Sequence, residues 1–519
     1  MSMNANGRPT RMEDGLTGQQ DMATATGHRG LDLEEALIFE RGAEGYTGVD
    51  VPDAPDIESR LGGLERDWVS LPGLSEPEVM RHFTRLSRKN YAIDMGLFPL
   101  GSCTMKHNPR LNEQTARLPG FADIHPLQPV STVPGALAVM EELAHWLKTL
   151  TGMPGITLAP KAGAHGELCG MMAIRAALEA AGDGRTTVLV PESAHGTNPA
   201  TAAFLGYKVE AVPATPDGRV DVEAFKAKLG THVAAVMITN PNTCGLFERD
   251  IIAIADAIHA VGGYFYCDGA NFNAIVGKVR PGDLGVDAMH INLHKTFSTP
   301  HGGGGPGSGP VVFSEALAPF APRPFVLDGQ LVEAEHADEA EQSFGRMCAF
   351  HGQMGMFTRA LTYMKSHGSD GLAQVAEDAV LNANYILSQL KDVLSAPYDD
   401  GPCMHEALFD EQFLKGTGVT TLDFAKAMID EGFHPMTMYF PLVVAGAMLV
   451  EPTETESKAS LDEFIHALRS LAEAAKAGET ERFRAAPHFA PMQRLDETRA
   501  ARRPVLTYQE PESLKIAAE

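Results

Sequence analysis

The segment from Ile291 to Pro310 concentrates the residues most able to do chemistry: His294 and Lys295, then Thr299-Pro300-His301, then four consecutive glycines, Gly302 to Gly305. An apolar, strand-like run from Ala288 to Leu293 leads into it. A lysine at the end of a buried strand is costly unless its amine is neutral or covalently engaged. Pyridoxal phosphate enzymes engage such a lysine as a Schiff base and lower its pKa for catalysis. The glycines let backbone pass close to a ligand and allow a mobile lid. A snorkelling lysine before a flexible loop fits the same segment, so the rest of the chain has to decide.

The surrounding pattern supplies elements able to position that lysine. Short apolar runs at Thr187–Val190, Val209–Val212, Val233–Thr239, Tyr264–Cys267 and Ala288–Leu293 read as strands buried on both faces. Helical stretches lie between several of them, with His165 to Ala181 ahead of the first, Val222–Leu229 and Ile251–Val261. This alternation predicts an α/β architecture with a large, doubly wound, mostly parallel sheet. The helical pattern from Leu372 to Leu390 opens a smaller C-terminal α+β domain. Four segments are expected: a disordered tail over 1–30, an extended N-terminal arm over 31–110, a large domain over 111–370 and a small one over 371–519. Within the arm, Ser75 is a plausible N-cap for a helix through Arg88.

Ligands of such sheets bind beyond the carboxyl ends of the strands, and there the polar residues gather. His195 follows the first strand, Asn242 and Thr243 the third, Asp268 the fourth, His294 and Lys295 the fifth. Each alone has a bland reading as a turn, a cap or a hydrogen-bonded core residue; four at equivalent ends are harder to dismiss. Pyridoxal phosphate uses them all: Asp268 to keep the ring nitrogen protonated, His195 to stack on the ring, Asn242 or Thr243 as donor to the ring hydroxyl. The phosphate needs a helix N-terminus with small residues, which Gly163, Ala164 and His165 provide. Phosphate site, stacking histidine, hydroxyl donor, carboxylate and lysine follow the chain order of aminotransferase-like pyridoxal enzymes.

Several segments are more specific: Leu97 to Lys106, Ile124 to Pro126, Gly163 to Glu167, Ala194 to Ala200, Tyr266 to Asn271, Asn292 to Phe297, Pro300 to Gly307 and Glu451 to Glu456. Through them the chain, from about residue 35 to 510, resembles the cofactor-binding subunit of the two-subunit glycine decarboxylases, the P-proteins of the glycine cleavage system. Cys267 stands where that family more often has an aromatic residue. The resemblance implies a fold-type-I (aminotransferase-like) transferase fold with pyridoxal 5'-phosphate on Lys295. It implies decarboxylation of glycine and transfer of the aminomethyl group to the lipoyl arm of the H-protein. It also implies a partner, subunit 1, in an α2β2 heterotetramer. His294 and His301 are open to acid–base or structural roles. Another fold-type-I decarboxylase or aldolase, or a cofactor-free scaffold subunit, are the competing readings. Exchange of labelled bicarbonate into glycine separates the first, a colourless protein would favour the second.

Composition narrows the partners. A formal net charge of −25 argues against nucleic acid and anionic membrane. No apolar stretch reaches the ~18 residues of a membrane span, and the polar N-terminus carries no targeting pattern, so a cytoplasmic location is expected. Cysteines 103, 169, 244, 267, 348 and 403 lie apart and read as reduced thiols. No metal is expected: Met404-His405-Glu406 has no second ligand at metal spacing. Thr453 to Glu456 reads as a capping box for the C-terminal helix.

Overall fold

The structure, a computed structural model, describes residues 35–507 apart from 43–45, 50, 53–54, 56–59, 65–70, 303–306, 334–341, 399–400 and 491–493. The expected tail over 1–30, and Gly303 to Gly305 of the expected lid, lie outside the described residues.

Seven strands form the large sheet: β1 (Gly155–Thr157), β2 (Thr187–Pro191), β3 (Lys208–Val212), β4 (Val233–Thr239), β5 (Tyr264–Gly269), β6 (Ala288–Ile291) and β7 (Val311–Phe313). Their order is β1-β7-β6-β5-β4-β2-β3. The five strands β3, β2, β4, β5 and β6 run parallel, while β7 is antiparallel to β6 and to β1. All seven residues of β4 are buried, as a central strand covered by helices on both faces requires. The five parallel strands are those legible in the sequence. The antiparallel edge is not, because two three-residue strands carry too little pattern.

Helix Gly163–Ala180 lies across this sheet. A Cβ on Gly163 would come 2.7 Å from Asn292 Nδ2, one on Gly166 2.7 Å from His290 Cβ, and one on Gly170 2.5 Å from a ring carbon of Tyr266. These three glycines share one helix face, and the missing side chains let the helix settle onto β5 and β6. The close fit delivers the helix N-terminus to the strand ends.

A hairpin of β8 (Phe325–Leu327) and β9 (Gln330–Val332) precedes helix Met354–Leu390, which kinks at Gly368 (φ 68°). Gly368 is non-helical in φ and ψ and divides the span into two helices close to residue 370. The first packs on helices Arg110–Ala116 and Pro134–Thr151, the second on helix Lys458–Lys476. Beyond it, β10 (Ala407–Phe409), β11 (Thr437–Met438) and β12 (Met448–Val450) form an antiparallel sheet in the order β10-β12-β11. Its apolar core includes Phe409, Phe424, Phe464 and Phe483. Helix Glu76–Arg88 starts at Ser75, whose capping box with Glu78 is formed.

The capping box read at Thr453 to Glu456 is corrected. The C-terminal helix begins at Lys458, and Ser457 caps it by accepting from Ser460 N at 3.2 Å. Thr453 sits at φ 65°, and Glu454 turns inward to bond Lys106 at 2.6 Å. Glu456, the carboxylate that the local pattern assigned to the helix's third position, falls instead one residue before the cap. No helix among the described residues is long and apolar enough to cross a membrane.

Candidate active site

A cavity of about 220 Å³ opens at the carboxyl ends of the parallel strands. The helix starting at Gly163 contributes Gly163, Ala164 and Glu167 to its wall; β4 and the loop after it contribute Thr239 and Thr243. His195 and Thr197 come from the loop and helix after β2, and Asp268, Ala270 and Asn271 from the end of β5. Strand β6 and the turn after it bring His290, Asn292 and Lys295, and Ser102 closes one side. Strand β6 stops at Ile291, so Lys295 stands on a one-turn helix, Leu293–Thr296, and not at the strand's end. Asn292, in extended backbone, turns the chain between the two.

Lys295 is half-buried, and its Nζ donates to Ser102 O at 2.7 Å. Asp268 is buried, and its Oδ1 accepts from Ala270 N at 2.9 Å and lies 3.4 Å from His290 Nε2. His290 Nδ1 in turn lies 2.6 Å from the Tyr266 hydroxyl. A fully buried row, Tyr266–His290–Asp268, therefore fixes the carboxylate. Burial pulls the His290 pKa down. Glu167 accepts from Thr197 Oγ1 at 2.8 Å, and burial, then the neighbouring Asp268, push its carboxyl up to about 8. His195 Nδ1 accepts from Thr197 N at 3.3 Å, and Phe440 packs edge-on against the ring at 5.6 Å between centroids. Burial lowers the His195 pKa as well.

The remaining candidates divide. Thr243 lines the cavity but gives its hydroxyl hydrogen to Ser193 O. Asn242 does not line it: its Nδ2 donates to Gly218 O at 2.9 Å and Glu248 Oε1 at 2.7 Å, and its Oδ1 accepts from Cys244 N and Leu246 N. It organises the loop, and neither residue has a free hydrogen for a ring hydroxyl on that side. His165 accepts from Lys161 N at 3.2 Å beside the helix start, its pKa lowered by burial. His294 and His301 face each other edge-on at 5.1 Å behind Lys295. Burial, then His301, take His294 down to about 3; burial, then Lys295, take His301 to about 4. Both imidazoles are therefore neutral near pH 7.

Sequence reasoning missed Ser102, Glu167, Thr239, His290 and Asn292 as wall residues. His290 carried a signal, a histidine inside an otherwise apolar strand; the others meet the cavity through contacts that spacing does not encode. It also found no companion for His405 and Glu406. The structure brings Glu451 to them, because β10 pairs with β12 in the register Ala407↔Val450.

The wall fits pyridoxal phosphate. The helix opening at Gly163 has no side-chain cap, so its first-turn N–H groups are available to an anion. Ser102 Oγ, Glu167 Oε2, Thr239 Oγ1, Asn271 Oδ1 and Asn292 Oδ1 are buried without partners. Each such orphan costs ~1–3 kcal/mol, and their gathering around one cavity marks a place for a polar ligand.

Residues 375–489 match the family model described as glycine dehydrogenase, C-terminal domain, and residues 167–398 match aminotransferase class-V. A Caulobacter vibrioides protein named "Probable glycine dehydrogenase (decarboxylating) subunit 2" is 69% identical, covering 100% of both chains. Its namesake from Oceanobacillus iheyensis is 50% identical over 91% of this chain and 98% of its own. Among solved structures, the glycine decarboxylase (P-protein) of the glycine cleavage system in inhibitor-bound form superposes with a TM-score of 0.66. That match has 20% identity and covers 79% of this chain and 92% of the other. A Burkholderia pseudomallei sphingosine-1-phosphate lyase superposes at 0.60, with 14% identity, 78% of this chain and 92% of its own. These two likenesses establish the fold.

Proposed function

Since the chain belongs to the family of glycine dehydrogenase (decarboxylating) subunit 2, we propose that its cavity binds pyridoxal phosphate and decarboxylates glycine. The observation that carries this reading is the meeting of Lys295, Asp268, His195 and an uncapped helix N-terminus in one cavity. Pyridoxal phosphate, when bound, supplies an electron sink for the pair that the glycine Cα keeps as CO2 leaves.

The chain's residues provide the setting for that sink. Gly163 and Ala164, with the first-turn amides of their helix, hold the phosphate dianion. Lys295 would be the covalent attachment point, and its amine would carry a proton beside the substrate. Asp268, oriented by Ala270 N and His290, holds a proton on the ring nitrogen. His195, with Phe440 packed edge-on against it, would stack on the ring. His294 and His301, neutral and packed together, support the turn that carries Lys295.

The name of the relatives implies subunit 1 as a partner. The products we assign are CO2 and an aminomethyl group on a lipoyl arm of the H-protein, made by an α2β2 assembly in the cytoplasm. Six cysteines left as thiols accord with that compartment. The test is co-expression with subunit 1 and incubation with glycine and labelled bicarbonate. Label entering the glycine carboxyl supports the reading; a yellow, folded complex that exchanges no label, or exchanges it with another amino acid in preference, overturns it.

A further inference from the structure

Glu406 and Glu451 are fully buried, yet they stand opposite each other at the ends of paired strands, immediately before β10 and immediately after β12. Like charges so placed are destabilising, and neither residue lines the cavity. Each commits one oxygen to the same short loop. Glu406 Oε1 accepts from Ser102 N, and Glu451 Oε2 accepts from Thr104 N at 2.8 Å. Both loop residues hold the left-handed conformation, Ser102 at φ 62° and Thr104 at φ 46°. For residues other than glycine that conformation is strained and persists only where surroundings over-determine it. The loop is also fixed to the small sheet by Gly101 N to Leu449 O at 3.2 Å and Thr437 Oγ1 to Gly101 O at 2.7 Å. A Cβ on Gly101 would lie 2.4 Å from Leu449 Cγ, so only glycine allows this approach. What the loop presents is Ser102: its carbonyl accepts from Lys295 Nζ at 2.7 Å, and its buried hydroxyl has no partner in the cavity wall.

We propose that Glu406 and Glu451 are positioning residues, a two-carboxyl clamp that holds Ser102 in strained backbone over Lys295 and so makes the C-terminal part of the chain a component of the active site. They act through the loop amides and touch neither substrate nor cofactor. That Lys295 is the reactive lysine rests on the function proposed above.

Methionine at either position nearly keeps the shape and removes the acceptor; glutamine keeps a carbonyl acceptor. In the full chain with pyridoxal phosphate, hydrogen–deuterium exchange is followed in a peptide spanning 97–106, with one spanning 233–239 as control. Glu406→Met and Glu451→Met should exchange at least ~10-fold faster in the first peptide with the control unchanged, and the glutamine variants should stay near native. The rate at which Lys295 captures the cofactor, read by borohydride fixation, should fall ~10-fold in the methionine variants and recover in the glutamine ones. Native exchange over 97–106 in the methionine variants overturns the clamp. Should those variants not fold, the glutamine variants decide: a native loop upholds the acceptor role, and a loop loosened ~10-fold over a native control overturns it. Exchange reads the clamp whether or not Lys295 proves to be the reactive lysine, so the two assignments fail separately.

Discussion

Two lysines lie close to the cavity, and the structure sets their reactivity apart. Lys106 is buried, and its Nζ, with three hydrogens to give, lies 2.6 Å from Glu454 Oε1, 2.8 Å from Thr296 O, 2.9 Å from Asn273 Oδ1 and 3.2 Å from Tyr363 Oη. To react with an aldehyde it must leave this cage, taking the cation from Glu454 and leaving it only the neutral donors Asn273 Nδ2 and Tyr363 Oη. Breaking such a pair costs ~3–5 kcal/mol. Lys295 gives up one bond to a carbonyl, worth ~0.5–1.5 kcal/mol. The difference, ~1.5–4.5 kcal/mol, favours Lys295 by about 10- to 1,600-fold at 1.4 kcal/mol per tenfold. Borohydride reduction of the holoprotein followed by peptide mapping should therefore place at least ~90% of the pyridoxyl label on Lys295. In Lys295→Ala the label should vanish rather than move to Lys106. Substantial label on Lys106 in either protein would refute the argument, since it would show that the cage does not withhold the amine.

Asp268→Asn keeps the shape and removes the charge set against the ring nitrogen; glycine–bicarbonate exchange should drop by ~100-fold or more with a small change in cofactor affinity, and near-native exchange would point to another acid. Glu167 gives a pH signature in the cofactor-free chain. Its proton leaves near 4.5 in the unfolded chain and near 8 in the fold, so its contribution to stability is full below 4.5, is lost as pH rises toward 8, and is level beyond. Glu167→Gln should flatten that part of the profile in urea unfolding, and an unchanged slope would remove Glu167 as its source. Asn242→Ala should lower the urea midpoint, because Glu248 loses a buried donor, while cofactor affinity stays within ~3-fold; a large loss of affinity would return Asn242 to the cofactor.

The parallel strands and the side chains at their ends were legible because both are local matters. An apolar run of four to seven residues declares a strand buried on both faces, and a strand's last residues reach the cleft whatever lies elsewhere. Asp268 reaches the cavity for that reason, His195, Thr243 and Lys295 from the loops and turn just beyond their strands, and Gly163 and Ala164 from a helix start. Asn242 shows the limit of the rule: it occupies the same kind of position, yet its amide closes a turn and meets the buried carboxylate of Glu248.

The unread part of the site has one physical cause. Ser102, Thr104 and Lys106 belong to a loop with no period, too apolar for a solvent-facing turn and too rich in glycine and proline for a strand. Its backbone and charge are satisfied by Glu406, Glu451 and Glu454, more than 300 residues away in sequence. Thr453-to-Glu456 matches a helix start in sequence, but the segment turns inward, where Glu454 meets Lys106, and the cap falls to Ser457. A segment whose hydrogen bonds have no local destination, and a buried carboxylate with no local partner, are two halves of one observation. In this chain they meet at Ser102, against the lysine on which the proposed chemistry depends.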